Sequence, residues 1–91
     1  MKRFSVVWDQ DVAEQLTRLV NNHFGSTQLP KITAAANRID KELSHRPAIV
    51  GQSIVLNVRV VVAHPLAVEY EVREDDCLVR LLGYYLCREP R

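Results

Sequence analysis

The sequence has few of the features that would place it in several common classes of protein. No apolar run approaches the roughly 20 residues that a membrane-spanning helix needs, and no long apolar segment precedes the first charges at the N-terminus. It contains neither internal repeats nor low-complexity segments, and its cysteines and histidines are not spaced as in a zinc site. We therefore expect a single soluble, cytoplasmic domain over residues 1–91, without membrane attachment, metal or cofactor.

The two cysteines do not predict a disulfide. Cys77 and Cys87 lie ten residues apart in one predicted strand, which separates them by about 33 Å at the rise of an extended chain. A disulfide needs Cα atoms within about 7 Å of each other. We therefore expect two reduced, partly buried thiols, in agreement with a cytoplasmic setting.

The charge balance does not suggest a general nucleic-acid-binding protein. Twelve Lys and Arg residues oppose eleven Asp and Glu residues, for a formal net charge of +1. Nine of the cations are Arg, whose planar guanidinium suits phosphate and surface carboxylates alike. Five acidic residues lie between Glu69 and Asp76, with one Arg among them. Composition leaves both uses of the arginines open.

Residues 53–73 predict a β-hairpin around which the rest of the chain is organised. Two alternating patterns meet there at the turn His64-Pro65. In the first arm, alternate residues form an apolar face, and Arg59 lies on the opposite face. The residues of the apolar face are Ile54, Leu56, Val58, Val60 and Val62. The second arm alternates the apolar set Leu66, Val68, Tyr70 and Val72 with the largely charged set Ala67, Glu69, Glu71 and Arg73. We expect one buried face and one charged, solvent-exposed face that carries the function.

Two helices are predicted ahead of the hairpin. Apolar residues at helical spacing predict a helix over residues 10–25, with Asp9 as its N-cap and Gly25 at its C-terminal stop. A second helix, with Pro30 in its first turn, ends at Arg46-Pro47. The apolar stripes of the two helices are Val12, Leu16, Leu19, Val20 and Phe24, and Ile32, Ala35, Ala36, Ile39 and Leu43.

Two further strands complete the predicted domain. One covers residues 3–8, and the other covers residues 77–86 after the acidic turn. In the last strand, alternation places Arg80, Leu82 and Tyr84 opposite Val79, Leu81 and Tyr85. The element order is therefore β-α-α-β-β-β, an α+β domain in which a two-helix hairpin covers one face of a mainly antiparallel sheet.

Several stretches in this order resemble a known family. They are residues 7–16 at the start of the first helix, residues 32–43 followed by Pro47 and by Gly51-Gln52-Ser53, and Arg59 with residues 65–72. Together they resemble the RelE/ParE toxin superfamily, the toxins of bacterial type II toxin–antitoxin systems, also known as plasmid stabilisation proteins. The resemblance implies a cognate antitoxin as partner, and the arginines of this chain suit an acidic, amphipathic segment that folds on binding.

The resemblance also implies two kinds of target. One branch of the superfamily cuts messenger RNA on the ribosome without a metal, using Arg and Lys to hold phosphate and a C-terminal Tyr or His near the 2′-hydroxyl. Such cleavage needs proton transfer and fixed cations around a phosphorane. Another branch poisons gyrase, a topoisomerase, with the same fold. A non-enzymatic interaction module of that fold is the third alternative.

The site residues follow from the resemblance. The predicted catalytic residues are Arg59, Arg80 and Tyr84, expected on the exposed face, and the predicted substrate-binding residues are Arg73, Tyr85 and Arg88. Ala67 stands where the ribonuclease branch has an arginine, and Glu69 and Glu71 share its face, where a phosphate would lie. Arg59 opposite either carboxylate is equally an ordinary cross-strand ion pair.

Overall fold

The computed structural model describes residues 3–87. Its elements, in chain order, are β1 (Ser5–Trp8), α1 (Gln10–Asn22), α2 (Gln28–His45), α3 (Pro47–Val50), β2 (Gln52–Val55), β3 (Val58–Ala63), β4 (Leu66–Arg73) and β5 (Leu78–Leu86). None of the helices in this part of the chain is long and apolar enough to cross a membrane. Cys77 and Cys87, which flank β5, are both free thiols.

The strands form one sheet in the order β1-β5-β4-β3-β2. β1 runs parallel to β5, and every other neighbouring pair is antiparallel. Both long helices pack their apolar stripes on the same face of the sheet. The prediction of an α+β domain with a mainly antiparallel sheet under a helical hairpin is confirmed.

α1 begins where predicted and ends at Asn22 rather than at residue 25. Asp9 has the extended backbone of an N-cap, and its carbonyl oxygen accepts bonds from two amides of the first turn. At the other end, Nδ1–H of His23 donates to the carbonyl oxygen of Leu19 at 2.8 Å. The chain then turns through Gly25, so Phe24 leaves the apolar stripe and is 81% exposed.

α2 ends where predicted, before Arg46-Pro47, and has the predicted buried face. It runs from Gln28 to His45, and its buried side chains are Ile32, Ala35, Ile39 and Leu43. Pro47 lacks a backbone N–H and cannot continue the helix. It instead begins α3, a single helical turn whose first residue, Pro47, is buried. The sequence pattern did not predict this turn.

The core lies between α2 and the central strands. In β4 the predicted alternation is confirmed, since the helix-facing residues Leu66, Val68, Tyr70 and Val72 are at most 6% exposed. Val79 and Leu81 of β5 extend this buried surface. Burying one large aliphatic side chain stabilises the fold by roughly 1.5–3 kcal/mol, so these central strands hold the sheet to the helices.

The first arm of the predicted hairpin is two strands rather than one. A tight turn at Leu56-Asn57 separates β2 from β3 and makes β2 the edge of the sheet. Leu56 occupies this turn with a left-handed φ of 45° and an exposed fraction of 92%. The sequence has no glycine there to mark the turn, which is why it was missed.

The predicted burial of β3 is also wrong. Val61 is the partner of Val68 across the β3–β4 pair and faces the helices, whereas Val62 is 56% exposed. The cause is the register set by the short turn at His64-Pro65, because a shift of one residue moves every side chain of a strand to the other face.

Candidate functional site

The face of the sheet opposite α1 and α2, here called the open face, carries the charged residues of β4. Glu69, Glu71 and Arg73 alternate with core residues along this strand, so their side chains point away from the helices. Arg80 of β5 joins them because it is the Cα partner of Glu71. The structure therefore brings together two of the predicted cationic residues, Arg73 and Arg80, on one surface.

Both of these arginines are already paired with carboxylates. Arg73 Nε donates to Glu71 Oε1 at 2.9 Å. Arg80 Nη2 donates to Asp9 Oδ2 at 2.6 Å, and this bond raises the pKa of Arg80 above its already high ordinary value. The carboxylate of Asp9 thus ties β5 to the start of α1 and makes no side-chain cap bond to the helix. A phosphate on the open face would compete with these carboxylates for the guanidinium groups.

Arg59 lies on the helix side of the sheet, and its predicted place on the open face is wrong. Its Cα partner is Tyr70, a core residue, whereas Glu69 and Glu71 pair with Val60 and Val58. The ion pair considered as the alternative is therefore not formed across the strands either. This outcome follows from the same register that buries Val61.

Arg59 belongs to a partly buried cluster of polar groups. Arg59 Nη2 donates to the carbonyl oxygen of Gly51, and its Nε is buried without a hydrogen-bond partner within the described residues. Tyr70 donates its hydroxyl to the carbonyl oxygen of Pro47 at 2.6 Å. Burial raises the pKa of Tyr70, and the nearby Arg59 guanidinium opposes this shift. The cluster fastens β3 and β4 to the segment that follows α2.

A bulge in β5 precedes the two C-terminal tyrosines and reverses the faces predicted for them. Up to Leu81 the register follows simple alternation, but it shifts opposite Glu69 and Tyr70, so that Leu82 is the extra residue. Tyr84 then pairs with Val68 on the helix side, and Tyr85 pairs with Ala67 on the open face. The prediction that Arg80 and Tyr84 share a face is therefore wrong.

Tyr84 sits in a groove between α1, α2 and the end of β5. The groove has a volume of about 410 Å³ and includes Trp8, Leu16 and Asp40. The backbone N–H of Tyr84 donates to Gln15 Oε1 at 2.9 Å. Burial raises the pKa of the Tyr84 phenol, and the carboxylate of Asp40 raises it further. A phenol with a raised pKa beside a carboxylate is a poor general base at neutral pH.

The predicted catalytic residues thus do not form one cluster. Within residues 3–87, Arg80 lies on the open face while Arg59 and Tyr84 lie under the helices. Tyr85 is on the open face, where its ring covers Gly83 and its exposed fraction is 53%. Arg88 lies outside the described residues.

A second groove, here called the acidic groove, lies at the end of the sheet where the β2–β3 and β4–β5 turns meet. Its volume is about 630 Å³. Its charged side chains are Arg59, Glu71, Arg73, Glu74, Asp75 and Asp76. Four carboxylates thus face two guanidinium groups, one of which is paired with Glu71. The acidic turn could be recognised in the sequence. The groove could not be predicted, because its other side is formed by the turn at Leu56, which the sequence pattern did not reveal.

Comparison with known proteins identifies the fold. No protein-family model and no curated protein matches the sequence. A solved structure of the toxin–antitoxin complex RelBE2 from Mycobacterium tuberculosis has a similar chain, with a TM-score of 0.73 and 17% identity over 92% of this chain and 98% of that one. The chromosomal ParDE TA system from P. aeruginosa gives a TM-score of 0.65 and 16% identity over 97% and 100%.

The isolated RelE toxin of E. coli is a further similar structure. Its TM-score is 0.63, with 10% identity over 97% of this chain and 87% of the toxin. At these identities the likeness concerns the fold, and it extends over nearly the whole described chain.

Proposed function

We propose that this chain, which has the fold of the RelE/ParE toxin superfamily, is the toxin component of a bacterial type II toxin–antitoxin system. A cognate antitoxin protein neutralises it in the cytoplasm. The toxin acts by binding a protein target, for which a topoisomerase is the first candidate, rather than by cutting RNA. Similar folds in the RelBE2, ParDE and RelE structures support the first part of the proposal.

One observation carries the second part, namely that the described arginines of the candidate site are engaged by the protein itself. Arg80 is bound to Asp9, Arg73 to Glu71, and Arg59 to the carbonyl oxygen of Gly51. Metal-free cleavage through a 2′-hydroxyl requires preorganised cations around the developing phosphorane and a group that transfers a proton. Instead, the acidic groove presents an excess of carboxylates, which repel phosphate.

A ribosome-dependent endoribonuclease is the second candidate. It is favoured by Arg59, which lines the acidic groove beside Arg73 and has a buried Nε without a partner in the described range. Under this second hypothesis, the substrate is messenger RNA on the ribosome. A non-toxic interaction module with the same fold is the outcome if the chain binds a partner without affecting growth.

Expression of the lone chain in bacteria tests the toxin assignment. We expect growth arrest, and we expect co-expression of the protein encoded by the adjacent reading frame to restore growth. The amount of soluble protein is measured in the same cells. Unimpaired growth with confirmed soluble chain would contradict a toxin, and binding of the neighbouring product without arrest would identify the interaction module.

Mapping of RNA 5′ ends after induction separates the two mechanisms. The proposal predicts intact transcripts together with a DNA-damage response, and codon-positioned cuts would establish the ribonuclease. Variants sharpen the distinction, because loss of a general acid or base typically lowers a rate by about 10²–10⁴-fold. We expect Tyr84→Phe and Arg80→Ala to keep their toxicity, since neither side chain acts on RNA in this proposal.

A further inference from the structure

Within residues 3–87, no strand pairs with the outer edge of β2, and all four of its residues are exposed. β2 is the last strand of the sheet order, and residues 51–57 contain no charged residue and no proline. Ile54 and Val55 are 54% and 56% exposed, and Leu56 in the following turn is 92% exposed. Edge strands of soluble proteins usually carry Lys, Pro or a covering element that prevents pairing with another chain. This edge therefore has the properties of a strand that accepts a partner strand.

Leu56 contributes nothing to the fold that would explain its presence. Its left-handed φ of 45° is unfavourable for a branched side chain, and its side chain gains almost no burial in return. A glycine or asparagine would suit this turn better. An exposed apolar residue kept in a strained turn is better explained by a contact with a partner.

The acidic groove begins where β2 ends. Leu56 lines this groove, together with the carboxylates of Glu74, Asp75 and Asp76. Within the described chain these three carboxylates form no ion pair, whereas Arg73 is neutralised by Glu71. The remaining charge beside the edge is therefore negative, and it is complementary to a cationic group.

From these observations we infer that an extended, basic segment of a partner protein pairs with β2 and places its Arg or Lys side chains in the acidic groove. The inference rests on the proposed function in that the partner is one that a toxin of this fold would bind. The charge inferred for the partner segment is opposite to the acidic charge expected from the sequence. The reason is that Arg73 and Arg80, on which that expectation relied, are paired with carboxylates of the chain itself. A strand antiparallel to β2 would bring its N-terminal end to the groove.

Binding of synthetic peptides to the full chain tests this inference. The probe is a short Thr-Val repeat with consecutive arginines at its N-terminus, and the control peptide has glutamates in their place. Affinity is measured by fluorescence anisotropy, and the contact surface by amide chemical shifts. We expect the basic peptide to bind at least about ten-fold more tightly, to lose affinity with added salt, and to shift the amides of β2.

Matched variants locate the two parts of the surface. Ile54→Lys blocks the edge and Asp75→Asn with Asp76→Asn neutralises the groove, and each is expected to weaken the basic peptide about ten-fold. Phe24→Lys introduces the same charge at an exposed apolar residue after α1, and Asp11→Asn with Asp40→Asn removes the same charge elsewhere. These control variants are expected to bind as the parent chain does.

Three results would overturn the inference. They are equal affinity for the two peptides, no binding of the basic peptide at millimolar concentration, and self-association of the chain that Ile54→Lys abolishes, which would make a second copy the occupant. Because the assay uses purified chain and no growth phenotype, its failure is distinguishable from failure of the toxin assignment.

Discussion

At the scale of single residues, Tyr70 connects the core to the segment after α2. Its ring is fully buried, and its hydroxyl donates to the carbonyl oxygen of Pro47 at 2.6 Å. Tyr70→Phe leaves that buried carbonyl without its donor, which costs roughly 1–2 kcal/mol. We therefore predict a loss of this size in the free energy of unfolding at pH 7, measured by urea denaturation. An unchanged midpoint would show that the bond does not stabilise the fold.

The raised pKa of Tyr70 predicts how stability changes at high pH. The folded chain favours the neutral phenol, so the unfolded chain loses this proton first, near the ordinary value of 10.0. From that pH upward the free energy of unfolding falls until the pH exceeds the higher pKa of the folded state. We expect Tyr70→Phe to flatten this decrease in the free energy of unfolding as the pH rises from 7 past the ordinary tyrosine pKa of 10.0. Tyr84→Phe, which also removes a phenol of raised pKa, should flatten it without removing the bond to Pro47.

Gly51 is the residue where added volume is least tolerated. A Cβ there would meet the Tyr70 hydroxyl and lie 2.8 Å from the carbonyl oxygen of Val60. Gly51→Ala should therefore destabilise by about 3 kcal/mol, at the upper end for overpacking. At Gly25 a Cβ meets nothing within 4 Å, so Gly25→Ala should cost only the left-handed backbone strain, about 1 kcal/mol. Equal losses in thermal unfolding would contradict the proposed collision.

At the scale of elements, the faces of β4 were predictable throughout, whereas those of β5 were predictable only as far as Leu81. Apolar residues occupy every second position of β4, so the sequence of this strand alone predicts which face is buried. β5 has the same local pattern, but a bulge at Leu82 reverses the faces of Tyr84 and Tyr85. The bulge is set by pairing with β4, which is a tertiary effect that no local pattern contains. For this reason Tyr84 does not share a face with Arg80, as the alternation had predicted.

The strand before the hairpin turn was ambiguous for a different reason. β3 has valines at both parities, so neither face is marked as the buried one. The cross-strand register decided that Val61 and Arg59 face the helices. Alternation therefore identified extended chain at β3 but could not assign its faces, and the position of Arg59 depended on that assignment.

The β2–β3 turn offers a prediction at this scale. Leu56 has a left-handed φ of 45° and is 92% exposed, so replacing it by glycine relieves strain and loses little burial. We predict that Leu56→Gly raises the free energy of unfolding by about 0.5–1 kcal/mol, the relief being partly offset by glycine's greater entropy in the unfolded chain. Leu82→Gly, at the half-buried bulge, is the contrasting variant and should destabilise. A destabilised Leu56→Gly chain would mean that Leu56 supports the fold.

At the scale of the whole molecule, the sheet joins both ends of the described chain. β1 pairs with β5, the last strand, so the N-terminal segment lies beside the open face near Arg80. The long-range pair of Arg80 with Asp9 follows from this parallel pairing, which a strand pattern alone does not reveal. The fold class could be inferred from the order of elements. The hydrogen-bond partner of each arginine could not, because it depends on contacts between distant segments of the chain.

A domain of this size has modest stability, so partner binding should be visible in its thermal unfolding. A ligand at 100 times its Kd stabilises the folded state by about 2.7 kcal/mol, and a domain of about 90 residues shifts its Tm by roughly 4–8 °C per kcal/mol. We predict that the protein encoded by the adjacent reading frame raises the Tm by about 10–20 °C at saturation. The measurement is circular dichroism of the purified chain with and without that partner.

The same measurement relates the edge of the sheet to the partner. If the partner pairs with β2, Ile54→Lys should greatly reduce the shift in Tm, because the lysine occupies the exposed edge beside residues that the partner strand would cover. Phe24→Lys, at an equally apolar but distant exposed position, should retain the full shift. Loss of the shift in both variants, or in neither, would place the partner on another surface and leave the uncovered β2 edge without its proposed occupant.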